Sequence, residues 1–412
     1  MIYLDANASS KLRPVVASAL KEHLGQEELY ANPSSISAPG RRSKSLIVAA
    51  KKSILDFLFH GEKTDAQLFF TSGGTESCNA IVSGFIDNAY FGHILSTSIE
   101  HPAISEALKS LAASGFEVEL VSPNLEGFID VEQFVAKSKT ATALVSIMLA
   151  NNETGALQPV AEIARALRAK NYSGPIVSDI TQAVGKTAIN LQRLFEAGVT
   201  AVSISGHKIG ALTGVGMVVL AGASSGNCFQ FAPSILGGGQ QNGFRSGTEN
   251  LLGIISLREA ALELKLKGES ERRSVLALRE YLSQTLQSEV ALIRRLTPMT
   301  NALGNTLLLQ IPGCRSDDLV VSLDLLGVAA SRGSACNSGK QNASYIPVSM
   351  GLSQKESTEV IRFSLDWDAN PENITEAANK IIHAVKQMRA LNADRPEMKN
   401  DKFLLESLVS NG

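Results

Sequence analysis

A chain of 412 residues, 44% hydrophobic and 19% charged, has the make-up of a globular protein too long for one core. Its formal net charge of −2 argues against nucleic acid or an anionic membrane surface as the main partner. The start, Met1-Ile2-Tyr3-Leu4-Asp5, carries no basic stretch followed by an apolar one, and no later apolar run is long enough to span a bilayer. Cys78, Cys228, Cys314 and Cys336 are scattered without CxxC spacing. That usage fits a reducing, cytoplasmic setting and predicts neither a disulfide framework nor a structural metal site.

Strand-like runs follow one another through the first 220 residues: Gln67-Leu68-Phe69-Phe70, His93-Ile94-Leu95-Ser96, Ala143 to Met148, Ile176-Val177, Ala201 to Ile204, and Gly216 to Leu220. Stretches of helical periodicity, such as Val160 to Lys170, lie between most of them. The alternation predicts an α/β fold, a parallel sheet with helices on both faces. From about Leu257 to Gln287 the sequence turns charged and helical, marking the passage into a smaller α+β domain. Its strand candidates are Asn305 to Ile311 and Val360 to Leu365, and from about Leu391 the tail is polar.

Ligands of such sheets bind at the carboxyl ends of the strands. Polar clusters follow five of the predicted strands: Thr71 to Glu76, Glu100-His101-Pro102, Asn151 to Gly155, Asp179, and His207-Lys208. An acid and an amine ending neighbouring strands suit a pyridoxal phosphate site. There a lysine forms the Schiff base, and a carboxylate keeps the pyridine nitrogen protonated. Ser72-Gly73-Gly74-Thr75-Glu76-Ser77, between a strand and a helix, offers backbone N–H groups to a phosphate. The plainer alternative is a helix start with Thr75 as N-cap. His101, just before Pro102, is placed to stack on a ring and to move protons, although a lone histidine is more often structural.

These stretches together resemble a fold type I pyridoxal phosphate enzyme of the class V aminotransferase family, and within it a cysteine desulfurase of the NifS/IscS group. The resemblance is carried by Tyr3 to Ala8, Asn32-Pro33-Ser34-Ser35, Thr71 to Asn79, Glu100-His101-Pro102, Asn151 to Gly155 and Asp179 to Lys186. It continues through Ser205 to Lys208, Gly237 to Gln240, Arg245 to Asn250, Gly333-Ser334-Ala335-Cys336 and Ile361 to Ser364. It implies a large domain at 15–256 with a mostly parallel seven-stranded sheet. It also implies a small α+β domain at 1–14 and 257–390 that carries the catalytic cysteine loop, and a tail at 391–412. In that pattern Lys208 carries the cofactor, Asp179 pairs with the pyridine nitrogen, Gln182 bonds the phenolic oxygen and His101 stacks on the ring. Gly74, Thr75, Ser205 and His207 hold the phosphate, joined by Thr248 of the partner subunit in a homodimer. Asn152, at the cofactor's edge, and Arg362 bind the substrate carboxylate, for which a planar guanidinium is well shaped.

Cys336 decides the activity that the resemblance implies. It lies in the polar run Ser331 to Lys340, where exposure and the nearby Arg332 and Lys340 favour a thiolate, whereas Cys78, Cys228 and Cys314 read as inert core fillers. L-cysteine is then converted to alanine, its sulfur passing to Cys336 as a persulfide and on to an acceptor or scaffold protein for iron–sulfur cluster assembly or thiolation. No resident metal is implied, although Cys336 could transiently ligate a cluster iron. The alternatives are a selenocysteine lyase, another class V enzyme, or a silent interaction platform. The chain departs from the family pattern at Ser37, Leu149-Ala150, Ala211-Leu212-Thr213 and Gln241-Asn242, none of which has an implied chemical role.

Overall fold

The computed structural model describes residues 1–86, 92–226, 229–333 and 344–393. After a two-residue strand, β1 (Ile2–Tyr3), the chain builds a seven-stranded sheet from β2 (Gln67–Thr71), β3 (His93–Thr97), β4 (Glu117–Val121), β5 (Thr142–Ser146), β6 (Ile176–Asp179), β7 (Ala201–Ser205) and β8 (Gly216–Leu220). The strand order is β2-β8-β7-β6-β5-β3-β4, with only β8 antiparallel to its neighbours. Side chains alternate across the sheet. Leu68, Phe70, Val145, Ile176, Val202 and Val219 face one buried cluster, and Phe69, Leu144, Val177, Ala201 and Val218 face another. Burial on both faces explains why these strands read as continuous apolar runs.

β4 is the strand that the sequence reading misses. It lies at the sheet edge with Leu120 exposed and Val118 half-buried, so it shows neither an apolar run nor clean alternation. Lys139 pairs with Glu117 at 2.6 Å and Lys137 with Glu119 at 2.7 Å, and this row of charges discourages further strand pairing.

A helix of 39 residues, Leu251–Glu289, leads out of this layer. At 1.5 Å per residue it is about 58 Å long, enough to serve two cores. Ile254, Leu257, Ala261 and Leu264 belong to the cluster under the large sheet, whereas Val275, Leu282 and Leu286 belong to a separate one. That second cluster is built by the antiparallel strands β9 (Arg294–Arg295), β10 (Thr306–Gln310) and β12 (Val360–Ser364) and by the helix Pro371–Ala393, which runs past Leu391. β11 (Val328–Ala329) pairs in parallel with β1, so Ile2 and Leu4 are buried in the second cluster.

Candidate active site

The carboxyl ends of β2, β3, β5, β6 and β7 all open on one edge of the sheet, and a cavity of about 240 Å³ lies there. Lys208 borders it from the single turn Gly206–Lys208 after β7, and Asp179, the last residue of β6, borders it from the neighbouring strand. Asp179 is buried, and its Oδ1 accepts from the Thr181 backbone N–H at 2.9 Å and from Ser203 Oγ at 3.2 Å. These donors hold the carboxylate in one orientation. Gln182, Ser205 and His207 line the same cavity.

The phosphate-cradle segment takes a form that only glycine permits. Gly73 has φ 154° and ψ −176°, a region closed to residues with a Cβ. A Cβ on Gly74 would sit 2.9 Å from Ser205 Cβ, so any larger residue would drive the two loops apart. The helix Gly74–Ser83 starts directly after this turn, and Gly74 and Thr75 border the cavity with its first turn. Its cap is Gly73, without a side-chain bond. Thr75 is therefore not the N-cap, which leaves the first backbone N–H groups for an anion.

His101 caps the helix Pro102–Ala113 and lines the cavity. Its Nδ1 accepts from the Ala103 N–H at 3.1 Å, so the neutral ring carries its proton on Nε2. Burial, assisted by Lys208 and opposed by Asp179, holds His101 below the usual histidine range. Burial, with Lys208 and Lys186 adding to it, brings His207 down to about 4. Both rings are thus neutral near pH 7.

Arg362 reaches the cavity from β12, in the other layer. It is 2% exposed, which excludes a solvated strand charge. Its guanidinium donates to the Asn152 carbonyl at 3.0 Å and to Asp5 Oδ1 at 2.6 Å. Asn152, on the loop after β5, borders the same space.

The segment after β1 ties the layers together, and it carries residues to which the sequence reading gave no role. The Asn7 carbonyl accepts from Lys208 Nζ at 2.5 Å and from Gln182 Nε2 at 3.0 Å. The Asn7 side chain accepts from Lys186 Nζ at 2.9 Å and donates to Thr306 Oγ1 at 2.8 Å and the Asn152 carbonyl at 3.1 Å. Nothing in the local pattern around Asn7 signals this, because its side-chain and backbone partners lie 145 to 357 residues away.

Glu100 is another unanticipated feature. It is 1% exposed, and Oε1 accepts from Thr97 Oγ1 and the Met148 N–H, each at 2.8 Å, while Oε2 is buried without a hydrogen-bond partner among the described residues. Burial, with Asp179 adding to it, raises this carboxyl to about 7. A raised acid favours the fold below its unfolded pKa near 4.5, and the benefit is lost as pH rises through 7. The lost stability amounts to about 3 kcal/mol. Glu100→Gln keeps an acceptor for Thr97 and Met148 and replaces Oε2 by a nitrogen that cannot ionise. In thermal melts the variant is expected to gain stability relative to the parent between pH 5 and pH 8. Parallel melting curves across that range would rule out this titration.

Of the residues implied by the resemblance, one lies away from the cavity and another falls outside the described residues. Thr248 lines a separate space of about 120 Å³ beside Ser72, Arg245 and Asn250. Cys336 lies outside the described residues, as does Cys228. Cys78 and Cys314 are both free and buried, and burial raises both thiols above their ordinary range. Cys78 nonetheless borders the cavity, with Sγ 3.3 Å from Ser203 Oγ. Ser37, one of the departures, caps the helix Ala38–Leu58 by accepting from the Gly40 N–H at 3.3 Å.

The chain belongs to the class-V aminotransferase family, whose model matches residues 2–376. Within that family it is similar to the cysteine desulfurases. It is 33% identical over 404 residues to the cysteine desulfurase of Nostoc sp., covering 98% of this chain and 96% of the relative. The fold matches the NifS-like protein of Rickettsia africae at a TM-score of 0.80 and 30% identity, over 94% of this chain and 99% of the other. A solved complex of SspA with cysteine matches at a TM-score of 0.73 and 25% identity, over 89% and 99% of the two chains. No described helix is long and apolar enough to cross a membrane.

Proposed function

We propose that the protein is a pyridoxal phosphate-dependent cysteine desulfurase. The observation that carries this reading is the convergence of Lys208, Asp179 and Arg362, from distant parts of the chain, on one cavity. An amine, a buried carboxylate oriented by two donors, a glycine cradle at a helix start and a buried guanidinium make up the donor set that this cofactor and an amino-acid substrate need. Lys208 would hold the cofactor, Asp179 its ring nitrogen, Gln182 its phenolic oxygen and His101 its ring face. Gly74, Thr75, Ser205 and His207 would hold the phosphate, with Thr248 of the partner subunit. When bound, the cofactor withdraws electrons from the α-carbon of the substrate.

The chain's own residues supply the rest. Arg362 and Asn152 bind the cysteine carboxylate, and the Arg362 guanidinium shifts from Asp5 toward the substrate as it does so. Lys208 Nζ takes the α-proton and returns it within the cavity. The Cys336 thiolate attacks the substrate sulfur. A sulfur–sulfur bond forms as the carbon–sulfur bond breaks, the electron pair of the broken bond stays with the β-carbon, and a proton taken up there completes the methyl group of the departing alanine. The persulfide then passes to an acceptor protein, in iron–sulfur cluster assembly or thiolation.

The test is incubation of the purified protein with pyridoxal phosphate, L-cysteine and a thiol reductant. Alanine and sulfide should appear in equal amounts, and the active species should sediment as a dimer. Turnover confined to selenocysteine would overturn the substrate assignment, and an active monomer would overturn the shared Thr248.

A further inference from the structure

Lys186 is an amine to which the mechanism above gives no task. Its side chain borders a second cavity of about 50 Å³ behind Lys208, and burial, with Lys208 adding to it, holds its amine well below the usual lysine range. Among the described residues it forms no ion pair. Its hydrogen bonds go to two amide oxygens, Asn7 Oδ1 at 2.9 Å and Gln182 Oε1. The charged and polar groups around it are Lys208, Asp366, Arg362, Asp5 and His207, together with the amides of Asn7 and Gln182.

Gln182 is the residue on which this arrangement acts. Its amide has an oxygen that only accepts and a nitrogen with two hydrogens to donate. Oε1 is taken by Lys186, and one Nε2 hydrogen is taken by the Asn7 carbonyl at 3.0 Å. Turning the amide over would set Nε2 against the Lys186 amine and Oε1 against the Asn7 carbonyl, an acceptor facing an acceptor. The Asn7 side chain cannot yield, because its Nδ2 is bound to the Asn152 carbonyl and Thr306 Oγ1. The second Nε2 hydrogen is what remains for the main cavity, which Gln182 lines.

We infer that Lys186 is a positioning residue: with the Asn7 carbonyl it locks the Gln182 amide so that an N–H, not an oxygen, faces the cofactor's ring oxygen. The inference rests on the cofactor reading given above. A donor there favours the ionised ring oxygen, whereas an amide free to turn presents an acceptor part of the time and disfavours it. Lys186 thereby sets the proton affinity of the bound cofactor without touching it.

The experiment follows the visible absorbance of bound pyridoxal phosphate against pH, without substrate, in the parent, Lys186→Met, Gln182→Leu and the double variant. Each single variant is expected to raise the titration midpoint by about one pH unit, the worth of one hydrogen bond to a charged group. The double variant should shift no further than the larger single one, since Lys186 acts through Gln182. If Lys186→Met does not fold, Lys186→Leu takes its place in the same cycle. A Lys186 variant with the parent midpoint, or shifts that add in the double variant, would overturn the inference. A parent protein with no visible band in pyridoxal phosphate would instead overturn the cofactor assignment, before any variant is compared.

Discussion

Cys336→Ser should bind cysteine and cofactor as the parent does, yet release neither alanine nor sulfide, with turnover down roughly 10³-fold or more. In the proposed function binding rests on Lys208, Asp179 and Arg362, and none of these is altered. Breaking the carbon–sulfur bond requires a thiolate acceptor, and a serine hydroxyl is not ionised near neutral pH. In the parent, mass spectrometry after cysteine and without reductant should place one extra sulfur on the peptide that contains Cys336. Cys78 and Cys314 supply the contrast: both are buried, and burial holds both as thiols. Their replacement by alanine or serine should leave desulfuration largely intact. A persulfide on any other cysteine, or normal turnover by Cys336→Ser, would make direct elimination by a lyase the leading account.

What the sequence disclosed follows from where each residue's constraints lie. β6 and β7 were legible because strands buried on both faces become apolar runs, and Asp179 and Lys208 stand out where those runs stop. β4 was not legible, since an edge strand needs no apolar face and this one is screened by lysines. Arg362 could be suspected from its apolar neighbours Ile361 and Phe363, and the fold buries it on the opposite face of β12, against Asn152 and Asp5. Asn7 and Lys186 carry no local signal: each is an ordinary polar residue until the fold brings the segment after β1 against the turn after β7 and against β12. Glu100 shows the same limit. Its place after β3 could be read from the sequence, whereas its orphaned Oε2 depends on packing from Thr97 and Met148. Polarity at strand ends is written locally, and the partners that tune it are not.

Lys208→Ala should abolish turnover and remove the visible absorbance that a lysine-linked cofactor gives. The loss follows from position as well as chemistry. Lys208 Nζ is held by the carbonyls of Asn7 and Ala8, at 2.5 and 2.7 Å, within the same cavity as Asp179 and His101. Lys186 cannot stand in for it, because its amine is bound to Asn7 Oδ1 and Gln182 and borders the cavity behind. The cradle at Gly73 and Gly74 is untouched by the substitution, so pyridoxal phosphate should still bind, now reversibly, and leave on dialysis. His207 should gain proton affinity in the variant, since Lys208 is the largest cause of its depression after burial. Its midpoint near 4 should therefore move upward, toward the ordinary histidine value, as NMR titration of the imidazole protons would show. Alanine formation by Lys208→Ala at the parent rate would remove this lysine from the mechanism. An unmoved His207 midpoint would show that the amine does not sit where the cavity geometry places it.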